Sequence, residues 1–198
     1  MRATLTAVLL LVAGLSLQAL PAAASELNEH AIAGYDEYFR KYSRRYFGPY
    51  FDWRWFKAQA IAESGLDPQA RSHMGALGLM QILPSTFDEI RHSRPHFSDI
   101  EDPRWNIAAG IYYCRLLYEK WAAYPQEERL AFTFASYNAG YNRVLQATSS
   151  QSADTPDWVA ASSQLPGQTR AYVARIREIM GIEPLLAHER QGGLTAEE

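Results

Sequence analysis

Residues 103–121, PRWNIAAGIYYCRLLYEKW, restrict the fold more than any other stretch. Ile107, Ile111, Cys114, Tyr118 and Trp121 recur at intervals of four, three, four and three, the rhythm of an α-helix. Other apolar residues fill the remaining faces. A helix apolar all round has no side to turn to water, so other elements must surround it. Asp102-Pro103 supplies its start: an acidic capping residue, then a ring that presets the first helical φ. The chain has 198 residues, enough for one sizeable core built around such a helix and hardly for two.

The flanking sequence supplies the surrounding elements. Tyr35, Tyr38, Tyr42 and Tyr46 predict a first helix over 29–47, broken by Gly48-Pro49. Asp52 caps a second helix that runs to Ser64 and stops at Gly65. Asp67-Pro68 opens a loop holding Ser72, Gly75 and Gly78, and Pro84-Ser85-Thr86 starts another helix. Residues 92–103 read as a polar connector. Glu127 to Ala139 forms a helix closed by Gly140, and residues 146–157 read as a Ser/Thr/Asp linker. TRAYVARIREIMG (169–181) gives a last helix, and from Glu183 the periodicity is lost. The expected class is mainly α, one domain, with at most a short β-hairpin hidden in 66–80.

Composition narrows the function. A formal charge of -3 argues against nucleic-acid binding. Arg40, Lys41, Arg44 and Arg45 share the polar side of the first helix, which reads as a solvated face or an attraction for an anionic polymer. Arg2, the apolar run from Leu5 to Leu20, and Ala22-Ala23-Ala24 have the form of an export leader cleaved after Ala24, with an uncleaved anchor as the alternative. The expected organisation is therefore a leader at 1–24, a domain at 25–182 and a loose tail at 183–198, acting in the periplasm or outside the cell. Cys114 is the single cysteine, so no internal disulfide can form, and it reads as a small buried hydrophobe. The five histidines lack metal-ligand spacing, and no metal or cofactor is expected. His73 is the histidine nearest the motifs below.

One acidic residue interrupts an apolar helix face. Glu63 follows Phe56, Ala60 and Ile61 in the final turn of its helix, where unpaired carbonyls form the negative end of the dipole. Burial and that dipole both disfavour the carboxylate and push its pKa up. A rise of ~2 units above the usual ~4.3 would bias the group toward the neutral acid by roughly 2.7 kcal/mol. Such a group can hand a proton to a glycosidic oxygen near neutral pH. A surface glutamate at a helix end is the plainer local reading. Gly75 and Gly78 allow close backbone approach to a ligand, and Ser72 and Gln81 are neutral hydrogen-bonders suited to sugar hydroxyl and acetamido groups. No second carboxylate near the motif offers itself: Asp67 belongs to a turn, and Asp88 and Glu89 read as facing water.

Glu63-Ser64, Asp67-Pro68, Ser72, GALGLMQILPST (75–86), SYNAG (136–140) and QTRAYV (168–173), in that order, resemble the lytic transglycosylases of the soluble (SLT) type, glycoside hydrolase family 23, relatives of goose-type lysozyme. The resemblance covers about residues 30–182. It implies a lysozyme-like helical domain with a long groove for peptidoglycan glycan strands, and no cofactor. It places the family's catalytic acid on Glu63 and its substrate contacts on Ser72, Gln81, Tyr137, Asn138 and Tyr172. The implied reaction cleaves the bond between N-acetylmuramic acid and N-acetylglucosamine without water and leaves 1,6-anhydromuramyl ends. The chain departs from the family pattern at Gln168, where Glu is frequent, and at Ser136, where Ala is frequent. Alternatives of the same ancestry are a goose-type lysozyme-like hydrolase and a catalytically silent peptidoglycan-binding factor of a secretion apparatus, with cell-envelope assembly partners. A monomer is expected.

Overall fold

The computed structural model describes residues 34–149 and 157–182. The leader, the start of the first predicted helix at 29–33, residues 150–156 of the predicted linker, and the tail from 183 lie outside the described residues. Eight helices are present among the described residues: α1 (Asp36–Phe47), α2 (Arg54–Ser64), α3 (Pro84–Ser93), α4 (Pro103–Lys120), α5 (Gln126–Ala139), α6 (Tyr141–Ser149), α7 (Trp158–Ser163) and α8 (Gly167–Ile179). The fold is mainly α, as expected. The hairpin in the 66–82 region is limited to isolated antiparallel bridges, Arg71 with Leu77 and Leu77 with Ile82.

α4 is the central element, as its all-round apolar pattern requires. Ile107, Ile111, Cys114, Leu117 and Tyr118 are buried, and α1, α3 and α5 pack against it. Asp102 caps it by accepting the Arg104 N–H at 2.8 Å. Among the residues this helix buries, Asn106 carries a polar amide and is 1% exposed. The neighbouring helices end where the sequence punctuates them. The carboxylate of Asp52 accepts the Arg54 N–H at 3.0 Å and also grips the Arg54 guanidinium. Gly65 takes the left-handed φ of +67° and returns its N–H to the Ile61 carbonyl at 2.9 Å. α1 carries Asp36 and Glu37 at its start and Arg44 and Arg45 at its end, in the sense the helix dipole favours. Its basic residues Arg40, Lys41, Arg44 and Arg45 are exposed.

Three expectations are corrected. The connector after α3 is not purely polar: Phe97 is fully buried, with ring centroids 5.4 Å from Trp105 and 6.5 Å from Phe87. Helix resumes at once after Gly140, so α6 occupies the start of the predicted linker and buries Val144 and Ala147. Finally, α7 is an extra short helix, capped by Asp157 and anchored by buried Trp158 and Ala161. Both added helices are short, and they gain stability from burying two or three residues each.

Candidate active site

The site is built around four residues of main chain. Residues 77–80, the bridge residue Leu77 and the turn that follows it before α3, are held by side chains from three helices. Ser64, the last residue of α2, donates to the Leu79 carbonyl at 2.9 Å. Asn106 of α4 accepts the Met80 N–H at 2.8 Å and donates to the Leu77 and Ile100 carbonyls, each at 2.9 Å. Tyr137 of α5 donates to the Met80 carbonyl at 2.8 Å. Two glycines make this approach possible. A Cβ at Gly78, where φ is +72°, would lie 2.6 Å from the Asn106 amide nitrogen, and one at Gly110 of α4 would lie 2.8 Å from Met80. The loop therefore settles onto the central helix and carries the end of α2 with it.

Glu63 lies one residue before Ser64 and is thereby fixed against this loop. α2 packs against α8, which brings Tyr172 to Glu63: the tyrosine hydroxyl donates to Glu63 Oε1 at 2.5 Å. Burial raises the Glu63 carboxyl from its ordinary 4.5 to about 7, while the Tyr172 hydrogen bond pulls the other way. The Tyr172 and Tyr137 hydroxyls are in turn held well above their ordinary 10, by burial first and also by the charge of Glu63. Cys114 is fully buried below, its thiol donating to Gln59 Oε1 at 3.2 Å and pushed strongly toward the neutral form by burial. Gln59 sits one helical turn before Glu63 on α2. No Asp, Lys, Arg or His is among the groups that shift the Glu63 carboxyl. Among the described residues, no group of three or more His, Cys, Asp or Glu could hold a metal ion.

The structure brings Glu63, Tyr137 and Tyr172 together. It ties the other predicted residues into the surrounding frame. Ser72 closes a tight turn, its hydroxyl accepting the Ala76 N–H at 3.0 Å. Gln81, with φ of +46°, donates its amide to the Ala70 and Gly78 carbonyls at 3.2 and 2.9 Å. Asn138 accepts from the Thr169 hydroxyl at 3.0 Å, joining α5 to α8. His73, Asp88 and Glu89 are exposed, and Asp67 accepts the Gln69 N–H within its turn. Ser136 is buried and accepts the Trp121 indole N–H at 3.0 Å, which accounts for a hydroxyl at that position. Sequence reasoning missed Asn106. A polar residue inside an otherwise apolar helix was the available signal, because such a group must find partners when buried. Tyr113, half-buried with its ring centroid 5.4 Å from that of Tyr137, was also missed.

Comparison with known proteins places the chain in a family. Residues 37–158 match the family model described as the transglycosylase SLT domain. The chain is 34% identical over 144 residues to a protein of Vibrio cholerae named membrane-bound lytic murein transglycosylase F, a match covering 70% of this chain and 25% of the relative. The 70 kDa soluble lytic transglycosylase SLT70 of Escherichia coli superposes with a TM-score of 0.59 at 29% identity, over 82% of this chain and 28% of that one. The lytic transglycosylase Slt of Pseudomonas aeruginosa shares the fold with a TM-score of 0.64 at 20% identity, over 80% of this chain and 28% of that one. The chain thus spans about a quarter of the length of the curated relatives it matches.

Proposed function

Since this chain belongs to the transglycosylase SLT domain family, we propose that it is an exported lytic transglycosylase of peptidoglycan, with Glu63 as general acid and then general base. The observation that carries this reading is the Glu63 carboxyl, raised by burial to about 7 and hydrogen-bonded to a tyrosine hydroxyl. At that pKa a large fraction is neutral at neutral pH and can act as an acid. The tyrosine bond then stabilises the carboxylate left after proton donation, so the same group can serve as the base.

In the first half of the reaction, neutral Glu63 gives its proton to the oxygen joining N-acetylmuramic acid to N-acetylglucosamine, and the muramic C1–O bond breaks. The muramic 2-acetamido group stabilises the cationic centre. In the second half, ionised Glu63 removes the proton of the muramic C6 hydroxyl, and that oxygen bonds to C1. The product ends in a 1,6-anhydro ring, no water is consumed, and Glu63 is protonated again. Most glycosidases divide acid and nucleophile between two carboxylates. Here the nucleophile is tethered to the reacting sugar, which supplies the proximity a second residue would otherwise provide. The frame residues also have hydrogen-bonding capacity to offer a sugar. Ser72 accepts an N–H and retains its own proton to donate, Gln81 commits its amide nitrogen inward and offers its oxygen, and Asn138 commits its oxygen and offers its amide.

The apolar leader supports action outside the cytoplasm, with residues 25–182 as the working domain. The name of the relatives, membrane-bound lytic murein transglycosylase, supports the same placement. No helix among the described residues is long and apolar enough to cross a membrane. Digestion of purified sacculi by the wild type and by Glu63→Gln, followed by mass spectrometry, tests the proposal. Soluble muropeptides with anhydro ends are expected from the wild type and almost none from the variant. Reducing ends would identify a hydrolase instead, and binding without release by either protein would identify a silent binding factor.

A further inference from the structure

Gln59 is fully buried, and its amide nitrogen Nε2 has no hydrogen-bond partner. An orphaned buried donor is destabilising, so its retention calls for a reason. Its position supplies one. Gln59 precedes Glu63 by four residues on α2, so the two side chains lie one above the other on the same face. Side chains of a helix tilt toward its N-terminus, which leans Glu63 back over the turn that carries Gln59.

The opposite end of the amide is fixed. The Cys114 thiol of α4 donates to Gln59 Oε1 at 3.2 Å. Burial keeps that thiol protonated, and the charge of Glu63 acts in the same direction, which puts Cys114 within the field of the acid. With its oxygen held by a donor, the amide presents its nitrogen elsewhere. On Glu63, Tyr172 takes Oε1 and leaves Oε2. The titratable groups that feel the charge of Glu63 are Tyr172 of α8, Tyr137 of α5 and Cys114 of α4, and burial keeps all three neutral. α1, which also packs on α2, sends Asp36 to Lys57, well before Glu63 on the helix. No Lys, Arg or His acts on the Glu63 carboxyl, so no cation answers its charge when it gives up a proton. The unpaired amide nitrogen one turn away is the donor left to do so.

Resting on the function proposed above, we infer that Gln59 is a positioning residue whose amide nitrogen donates to the Glu63 carboxylate formed between the two halves of the reaction. Cys114 holds the amide in the orientation that allows it. A neutral acid gains little from this donor, whereas a buried carboxylate gains a charge-assisted hydrogen bond. The amide is thus left unpaired in one protonation state of the acid and paired in the other.

The test titrates the Glu63 carboxyl by NMR of carboxyl-labelled protein in the wild type, Gln59→Met, Cys114→Ala and Cys114→Ser, alongside sacculus digestion over the same pH range. Methionine keeps the length of the side chain and removes the donor. Gln59→Met should raise the Glu63 pKa by about one pH unit and carry the high-pH limb of digestion up with it, with kcat lowered about fivefold and KM unchanged. Cys114→Ala should move the pKa the same way by a smaller step. Cys114→Ser still offers a donor to Gln59 Oε1 and should leave the pKa in place. A thermal melt separates positioning from packing: replacing an orphaned amide by an apolar side chain should leave Tm unchanged or higher, whereas a glutamine that served structure alone would lower Tm when lost. An unmoved Glu63 pKa in Gln59→Met, a marked fall in its Tm, or a serine variant shifted as far as the alanine one would overturn the inference. A wild type that digests no sacculi would instead overturn the enzymatic reading, and the NMR titration would still decide whether Gln59 acts on Glu63.

Discussion

Replacing Glu63 by Gln removes one titration and little else. The amide is nearly isosteric, and its oxygen can still accept from Tyr172, so the packing of α2 against α8 is retained. What changes is the linkage between proton binding and folding. The native carboxyl titrates at about 7 and the unfolded one near its ordinary 4.5. Between those values the native state holds a proton that the unfolded state has released, so stability falls as pH rises through that window. Below 4.5 both states are protonated and the contribution is fully present; above about 7 both are ionised and it has been lost. At roughly 1.4 kcal/mol per pH unit, the interval corresponds to about 3 kcal/mol. Glu63→Gln has no such dependence. Urea unfolding of both proteins from pH 4 to pH 8 measures the difference directly, and every other titrating group cancels in the comparison. With a urea slope of ~2 kcal/mol/M, the gap between the two midpoints should change by about 1.5 M across the range, with the wild type losing ground as pH rises. A gap that stays constant would mean that Glu63 ionises as an ordinary solvated carboxylate, and the general-acid argument would fail with it.

Two further outcomes follow from the same geometry. Tyr172→Phe removes the hydrogen bond that opposes burial at Glu63, so the carboxyl pKa rises further. The high-pH limb of sacculus digestion should then move up by about one pH unit, and an unmoved limb would place the tyrosine outside the proton chemistry. Asn106→Ala leaves the Met80 N–H and the Ile100 carbonyl without the Asn106 amide, and leaves the Leu77 carbonyl with the Ile82 N–H alone. It should cost about 3 kcal/mol and lower Tm by ~10 °C in a thermal melt, and a loss below about 1 kcal/mol would show that the loop is held chiefly by other contacts.

The elements read most clearly from sequence are those with chemical punctuation at both ends. α2 begins at Arg54, whose N–H the Asp52 carboxylate accepts, and stops at Gly65, and α4 starts directly after its cap Asp102. α6 and α7 were illegible because their stability comes from a few contacts with the body of the fold, such as buried Trp158 and Val144, which local pattern cannot show. Phe97 was hidden for a related reason, as it and Ile100 are scattered apolar residues in a polar run and carry no period. At the site, Glu63 was visible as an acid on an apolar face, and burial is the main influence raising its pKa. The direction in which Gln81 and Asn138 commit their amides was not visible, because it depends on carbonyl and hydroxyl groups distant in the chain. Asn106 was missed although it joins more of the site than any motif residue, since its partners are main-chain atoms and leave no residue pattern to match.

The grip on residues 77–80 reaches main-chain atoms alone, and this bears on how the family can vary and how the protein can be re-engineered. Ser64, Asn106 and Tyr137 read carbonyl and N–H groups that every amino acid except proline presents. Within the segment, Gly78 is held bare by the asparagine, and Leu79 and Met80 are fully buried in the core, which leaves Leu77 as the position where identity matters least to the path. Substitutions confined to half-buried Leu77 should therefore leave the segment's course intact, whereas libraries at Leu79, Met80 or the three gripping positions should yield mostly collapsed proteins.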